Sequence, residues 1–237
     1  MIDHLSCSSI NLAINCPRSW WAKYMLGKSV PSSEAASFGS QYDVVVSKLI
    51  GAKTHKEEKP GSILPGVQEA AELYLEQGHA FKDATDSQVK IDISPGQWAY
   101  LGEMLGIPTE IKFPITGFID LFDRETRKLI DLKTSSSKRT SASWALQVLI
   151  YSLATQATEA GIHLMTRTKT PAFYNFLVPV SDDNLRWAMN LFTFYANLIE
   201  GWIETGAGEE LPRQEGFWCS WCPENMECPA KHVILGG

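Results

Sequence analysis

Gly117-Phe-Ile-Asp120-Leu-Phe-Asp123, then Arg124-Glu-Thr-Arg127, then Lys128-Leu-Ile-Asp131-Leu-Lys133-Thr134 is the stretch that decides the fold. Two apolar runs flank four polar residues, which predicts a β-hairpin with a strand on each side of the turn. The first strand is expected to begin near Glu110. Asp131 and Lys133 are two apart on the second strand, so they project from the same face. Charged side chains in so apolar a strand are costly unless they are paired or bind a metal ion.

Outward from the hairpin, Ser141 to Ala160 predicts a long helix, opened by capping serines and closed by Gly161. Gln147 and Tyr151, four apart, share one face of it. Ile162–Met165 and Ala172–Val178 have the look of strands, and Asp182–Glu204 predicts a second long helix ended by Gly206. Upstream, two short helices surround Pro17, and Phe38–Ile50 fits a buried helix, although Val44-Val45-Val46 leaves a strand open. Val67–Gln77 reads as an amphipathic helix ended by Gly78. Residues 51–66 read as an exposed loop, and the stretch 81–106 carries no decisive pattern. These elements describe an α/β protein, a mixed sheet flanked by helices. No linker is long enough to divide residues 1–237, so a single domain is expected, with its core at about 107–180, N-terminal helices at 8–50 and a tail at 205–237.

The chain has 237 residues, a formal net charge of −6 and a pI near 5.4. That charge disfavours a protein held on nucleic acid by bulk electrostatics, but not one whose carboxylates bind divalent cations. No run reaches the roughly 20 apolar residues of a membrane span, and the first residues lack a secretory pattern. A reducing, cytoplasmic setting is therefore expected, in which clustered cysteines favour metal ligation over disulfides.

Two carboxylates beside a lysine suit phosphodiester hydrolysis. Hard oxygen ligands bind Mg²⁺ or Mn²⁺, and the cation acidifies water and polarises the phosphate. Asp-x-Lys alone is weak, since Glu57-Glu58-Lys59 and Glu110-Ile111-Lys112 imitate it. The ordered set Gly117-x-x-Asp120, Asp131-x-Lys133 and Gln147-x-x-x-Tyr151 is far more specific. It resembles the RecB-like branch of the PD-(D/E)XK nuclease superfamily. The resemblance implies a restriction-endonuclease-like core with a helical elaboration. It makes Asp120, Asp131 and the Leu132 backbone carbonyl metal ligands, Lys133 the catalytic lysine, and Gln147 and Tyr151 supporting groups. In that family a helix with Gly-x-x-x-His lies upstream. Here Gly39-Ser-Gln-Tyr-Asp43 stands in its place, with Asp43 as the candidate ligand.

Cys219-x-x-Cys222 and Cys228 lie close together near the C-terminus, while Cys7 and Cys16 lie near the N-terminus. Four thiolates suit zinc or an iron–sulfur cluster. The segment Ser9 to Tyr24 resembles the N-terminal motif of RecB-like nucleases that carry [4Fe–4S], a group that includes the small Cas-type nucleases of CRISPR adaptation. The resemblance implies Cys16, Cys219, Cys222 and Cys228 as cluster ligands, with Zn²⁺ as the alternative, and leaves Cys7 out. The expected activity is a metal-dependent deoxyribonuclease, an exonuclease on single-stranded DNA or ends, with a helicase, recombination or CRISPR-adaptation partner. The rival is a catalytically weak or inactive nuclease-fold protein that binds nucleic acid or a partner, suggested by Asp43 and the acidic charge.

Overall fold

A computed structural model describes residues 2–54, 62–77, 85–224 and 228. Gly78 and the Glu57–Lys59 motif lie outside the described residues. In chain order the elements are α1 (Cys7–Asn15), α2 (Pro17–Tyr24), α3 (Glu34–Leu49), β1 (Lys53–Thr54), α4 (Val67–Glu76), β2 (Thr85–Ile93), α5 (Pro95–Met104), β3 (Ile115–Asp123), β4 (Lys128–Ser135), α6 (Ala142–Thr155), β5 (Glu159–Thr166), β6 (Phe173–Leu177) and α7 (Asp182–Thr205), with a short 3-10 turn at Phe217–Trp221. No helix among the described residues is long and apolar enough to cross a membrane. The chain divides into two compact units, residues 32–92 with 117–188, and residues 1–31 with 93–116 and 189–237.

The first unit is built on a six-stranded mixed sheet in the order β1 to β6. The hairpin forms as expected, β3 and β4 pairing antiparallel with Leu121 opposite Ile130. Its turn is closed by Asp123, whose Oδ1 accepts the backbone N–H groups of Glu125 and Thr126, while Arg127 takes the left-handed conformation at φ 54°. The first strand starts at Ile115 rather than Glu110. Glu110–Lys112 is loop, and Lys112 is spent on an ion pair with Glu204.

β4 and β5 pair in parallel over their whole length, from Lys128 with Glu159 to Ser135 with Thr166, and β6 adds antiparallel to β5. Parallel neighbours need a crossover, which α6 provides. α6 ends earlier than its sequence suggests. Gln156 adopts the left-handed conformation as C-cap, its N–H returning to the Ser152 carbonyl, and residues 159–161 pair in the sheet instead. Gly161 is a strand residue, not a helix terminator.

One sheet face is covered by α3 and α4. Tyr42, Val45, Val46, Val67, Ala70, Ala71 and Tyr74 pack with Leu121, Ile130, Leu132 and Met165. Alternation then sends Asp131 and Lys133 to the opposite face. The sheet extends upstream of residue 107, because β1 and β2 pair in parallel ahead of the hairpin.

The second unit holds the two ends of the chain. Pro17 occupies the first turn of α2, where its missing N–H costs nothing. Trp20 is fully buried against Tyr24 and Trp202, and Trp98 packs on Phe192 while its Nε1 donates to the Thr193 hydroxyl.

Candidate active site

β3, β4 and α6 bring four of the predicted residues together. The Asp120 Oδ2 accepts the Leu132 backbone N–H at 2.8 Å, so the hairpin ladder itself sets that carboxylate. Lys133 donates to the Asp131 Oδ1 at 2.9 Å, and Gln147 reaches the same oxygen from α6 at 3.1 Å. The Asp131 Oδ2 is buried 2.8 Å from the Lys133 ammonium but accepts no hydrogen bond among the described residues.

Tyr151 is buried one helical turn beyond Gln147. A Cβ on Gly117 would come within 2.3 Å of the Tyr151 hydroxyl and 2.7 Å of its ring carbons. The glycine of Gly-x-x-Asp is thus required by the aromatic of Gln-x-x-x-Tyr. α3 approaches β4 almost as closely, with a Cβ on Gly39 falling 3.2 Å from the Thr134 hydroxyl. Asp43, half-buried on that helix, is among the charges that act on Lys133.

The electrostatics are unbalanced. Burial opposes the charge of Lys133, but Asp131, Asp120 and Asp43 outweigh it and hold the ammonium above its ordinary pKa. Burial raises the Asp131 carboxyl well above the usual carboxylate range; Lys133 opposes that shift and Asp120 adds to it. The two shifts have different causes: burial outweighs the ammonium at Asp131, whereas at Lys133 the surrounding carboxylates outweigh burial. The cluster is short of positive charge, and a buried carboxylate oxygen has a lone pair to spare. Both features fit a hard divalent cation. Among the described residues, however, no three His, Cys, Asp or Glu side chains are grouped as a ready ligand set. Asp43, Asp120 and Asp131 therefore share a field without forming a closed cage.

Sequence reasoning missed Gln88. It lies on β2 in the left-handed conformation, φ 52°, and its Nε2 donates to the Asp120 Oδ1 at 3.1 Å. A non-glycine residue in that region is uncommon in a strand and marks a constrained site. Both oxygens of Asp120 are thereby held, one by Leu132 and one by Gln88.

At the chain ends, Arg18 binds Glu224 through two hydrogen bonds, Nε at 2.7 Å and the second nitrogen at 2.8 Å, and Lys28 joins at 2.8 Å. This ties the helix after Cys16 to the segment after Cys222. No disulfide links the five cysteines among the described residues. The expected gathering of Cys16, Cys219, Cys222 and Cys228 into a ligand set is not seen, since none of three or more such side chains occurs among the described residues. The pattern in sequence shows that four thiols exist; only packing could have brought their sulfurs together.

The family model of the PD-(D/E)XK nuclease superfamily matches residues 4–229. No curated protein sequence matches the chain. Among solved structures, a provisionally named exonuclease of Eubacterium rectale aligns with a TM-score of 0.63 at 15% identity, over 99% of this chain and 94% of its own. SSO0001 aligns with a TM-score of 0.47 at 16% identity, over 98% of this chain and 88% of its own. A phage-related exonuclease from Haemophilus somnus 129PT aligns with a TM-score of 0.29 at 14% identity, over 84% and 96%. Only the first is similar enough to compare, and at that identity it speaks for the fold alone. Since the family model spans nearly the whole sequence, this chain belongs to the PD-(D/E)XK nuclease superfamily.

Proposed function

We propose that this nuclease hydrolyses DNA phosphodiester bonds with Mg²⁺ or Mn²⁺, as an exonuclease acting on single strands or ends. The observation that carries the reading is the buried Asp131 carboxylate, one oxygen held by Lys133 and Gln147 while the other, 2.8 Å from the Lys133 ammonium, accepts no hydrogen bond among the described residues. Asp120, Asp131, Asp43 and the Leu132 carbonyl would hold the cation, which when bound polarises the phosphate and acidifies a water. Lys133, kept protonated by its neighbours, orients the attacking water and meets charge developing on the phosphoryl oxygens. Gln147 holds the Asp131 carboxylate, while Leu132 and Gln88 hold that of Asp120, so neither has to be ordered during the reaction. Tyr151, locked under Gly117, steadies the helix that carries Gln147.

Purified protein on end-labelled single- and double-stranded DNA should cleave with Mn²⁺ and stop with EDTA. Asp131→Asn and Lys133→Met should each lose at least roughly 100-fold in rate, as removal of one preorganised group does elsewhere, while circular dichroism stays native. Undiminished cleavage by both variants would refute the assignment.

The four cysteines are proposed as a separate structural [4Fe–4S] site, or a zinc site, supported by their spacing and by the Arg18–Glu224 link between the ends. The chain has no helicase motif, so any unwinding would come from a partner in recombination, CRISPR adaptation or phage replication, in the cytoplasm.

A further inference from the structure

Between Leu132 and Ser181 the chain carries five cations, Lys133, Lys138, Arg139, Arg167 and Lys169, against a single carboxylate, Glu159, although the whole chain stands at −6. Lys133 is taken by Asp131. The other four lie on two loops, residues 136–141 and 167–172. These loops leave the sheet at adjacent points because β4 and β5 run parallel, Ser135 beside Thr166, and the Arg167 N–H donates to the Ser135 carbonyl at 2.6 Å. Lys138, Arg139 and Lys169 are exposed. Arg167 is half-buried, and its Nε is buried with no hydrogen-bond partner among the described residues. Buried guanidinium donors are nearly always satisfied, so an acceptor is missing at this point.

The strand register supplies a second observation. Asp131 pairs with Ile162 and Ile162 with Phe176; Lys133 pairs with Leu164 and Leu164 with Tyr174. Tyr174 and Phe176 therefore share the sheet face of Asp131 and Lys133, two strands away, or roughly 10 Å at ordinary strand spacing. The two rings stack, with centroids 6.4 Å apart and planes 28° apart, on the edge strand, and both are only partly buried. The Lys138 ammonium lies 4.6 Å from the Tyr174 ring centroid.

We propose that β6 and the two cationic loops form a binding track for single-stranded nucleic acid. Phosphates sit on Lys138, Arg139, Arg167 and Lys169, and bases stack on Tyr174 and Phe176. Cations beside accessible aromatic faces suit a single strand, because a duplex offers the same phosphates but hides its base faces. The direction of the track toward the strand that bears Asp131 and Lys133 rests on the nuclease reading; the binding itself does not.

The test is fluorescence anisotropy of a labelled oligothymidine and of a duplex of equal length, in EDTA so that nothing is cleaved, across a salt series. The single strand should bind more tightly. Replacing all four loop cations with Glu should weaken binding and flatten the plot of log affinity against log salt by about 3, at about 0.7 per phosphate contact on a single strand. Tyr174→Leu and Phe176→Leu keep the apolar bulk and remove the ring. Each should cost roughly 5- to 150-fold in affinity with the salt slope unchanged. Lys128→Glu, at the opposite end of β4, should change little. Affinity that ignores the loop and ring variants, loses as much on Lys128→Glu, or is equal for duplex and single strand would overturn the proposal. Binding as described without any Mn²⁺-dependent cleavage would confirm the track and count against the nuclease reading alone.

Discussion

Gly117→Ala tests whether the motif glycine is there for chemistry or for packing. Gly117 has no positive φ, so an alanine meets no backbone penalty; in a strand it would gain about 0.5–1 kcal/mol over glycine. Steric contact reverses that sign. The new methyl would sit 2.3 Å from the Tyr151 hydroxyl and 2.7 Å from two ring carbons, all inside the distance that carbon tolerates. Relief requires the ring or the strand to move by about 1 Å, and overpacking of a buried site typically costs about 1–3 kcal/mol. Tyr151 is 5% exposed, so it has little room to swing away. The net expectation is a loss of about 1–2 kcal/mol, read as a lower midpoint in urea unfolding with an unchanged slope. Moving α6 also moves Gln147 off Asp131, and a displacement of that size can cost about 100-fold in rate. In a Tyr151→Ala background the same glycine substitution should become neutral or stabilising, because the colliding ring is gone. A Gly117→Ala variant as stable as the parent, or one whose penalty persists beside Tyr151→Ala, would refute the reasoning.

Gln88→Ala should weaken Mn²⁺ binding to the protein several-fold in equilibrium dialysis, because the Asp120 Oδ1 loses its donor; an unchanged binding curve would show that Leu132 alone orients that carboxylate. Arg18→Ala leaves the buried Glu224 carboxylate with Lys28 as its remaining cation and should cost about 3 kcal/mol, whereas Arg18→Met with Glu224→Gln should recover part of it. Burial opposes the charge of Glu224, but its hydrogen bonds to Arg18 and Lys28 prevail and hold it below the usual carboxylate range. Its contribution is therefore present above about pH 4.3 and lost as pH falls through the lower folded value, and acid-unfolding curves of parent and Arg18→Ala should converge there. Anaerobically purified protein should be brown, with absorption near ~400 nm from Fe–S thiolate ligation. Cys16→Ser should bleach it and Cys7→Ser should not; a colourless parent lacking zinc would end the cluster reading.

What could be known from sequence was local. The hairpin declares itself through two alternating apolar runs and a four-residue polar turn; the structure adds that Asp123 caps that turn and that the first strand starts only at Ile115. Because side chains alternate along a strand, Asp131 and Lys133 were bound to project together wherever the strand came to lie. Gln147 and Tyr151 were bound to share a helical face for the same reason of period. Folding alone decided which distant elements meet. β2 carries no clear alternation, and Gln88 breaks its strand conformation, so nothing near Gln88 in the chain points to Asp120, thirty-two residues on. Residues 159–161 lack any strand-forming character, yet they pair because β4 offers them a parallel edge, and α6 has to stop at Gln156 to let them. The close fit of Gly117 to Tyr151 is of the same kind. The motif contains both residues, but only packing α6 against the sheet turns a missing side chain into the space that an aromatic ring fills.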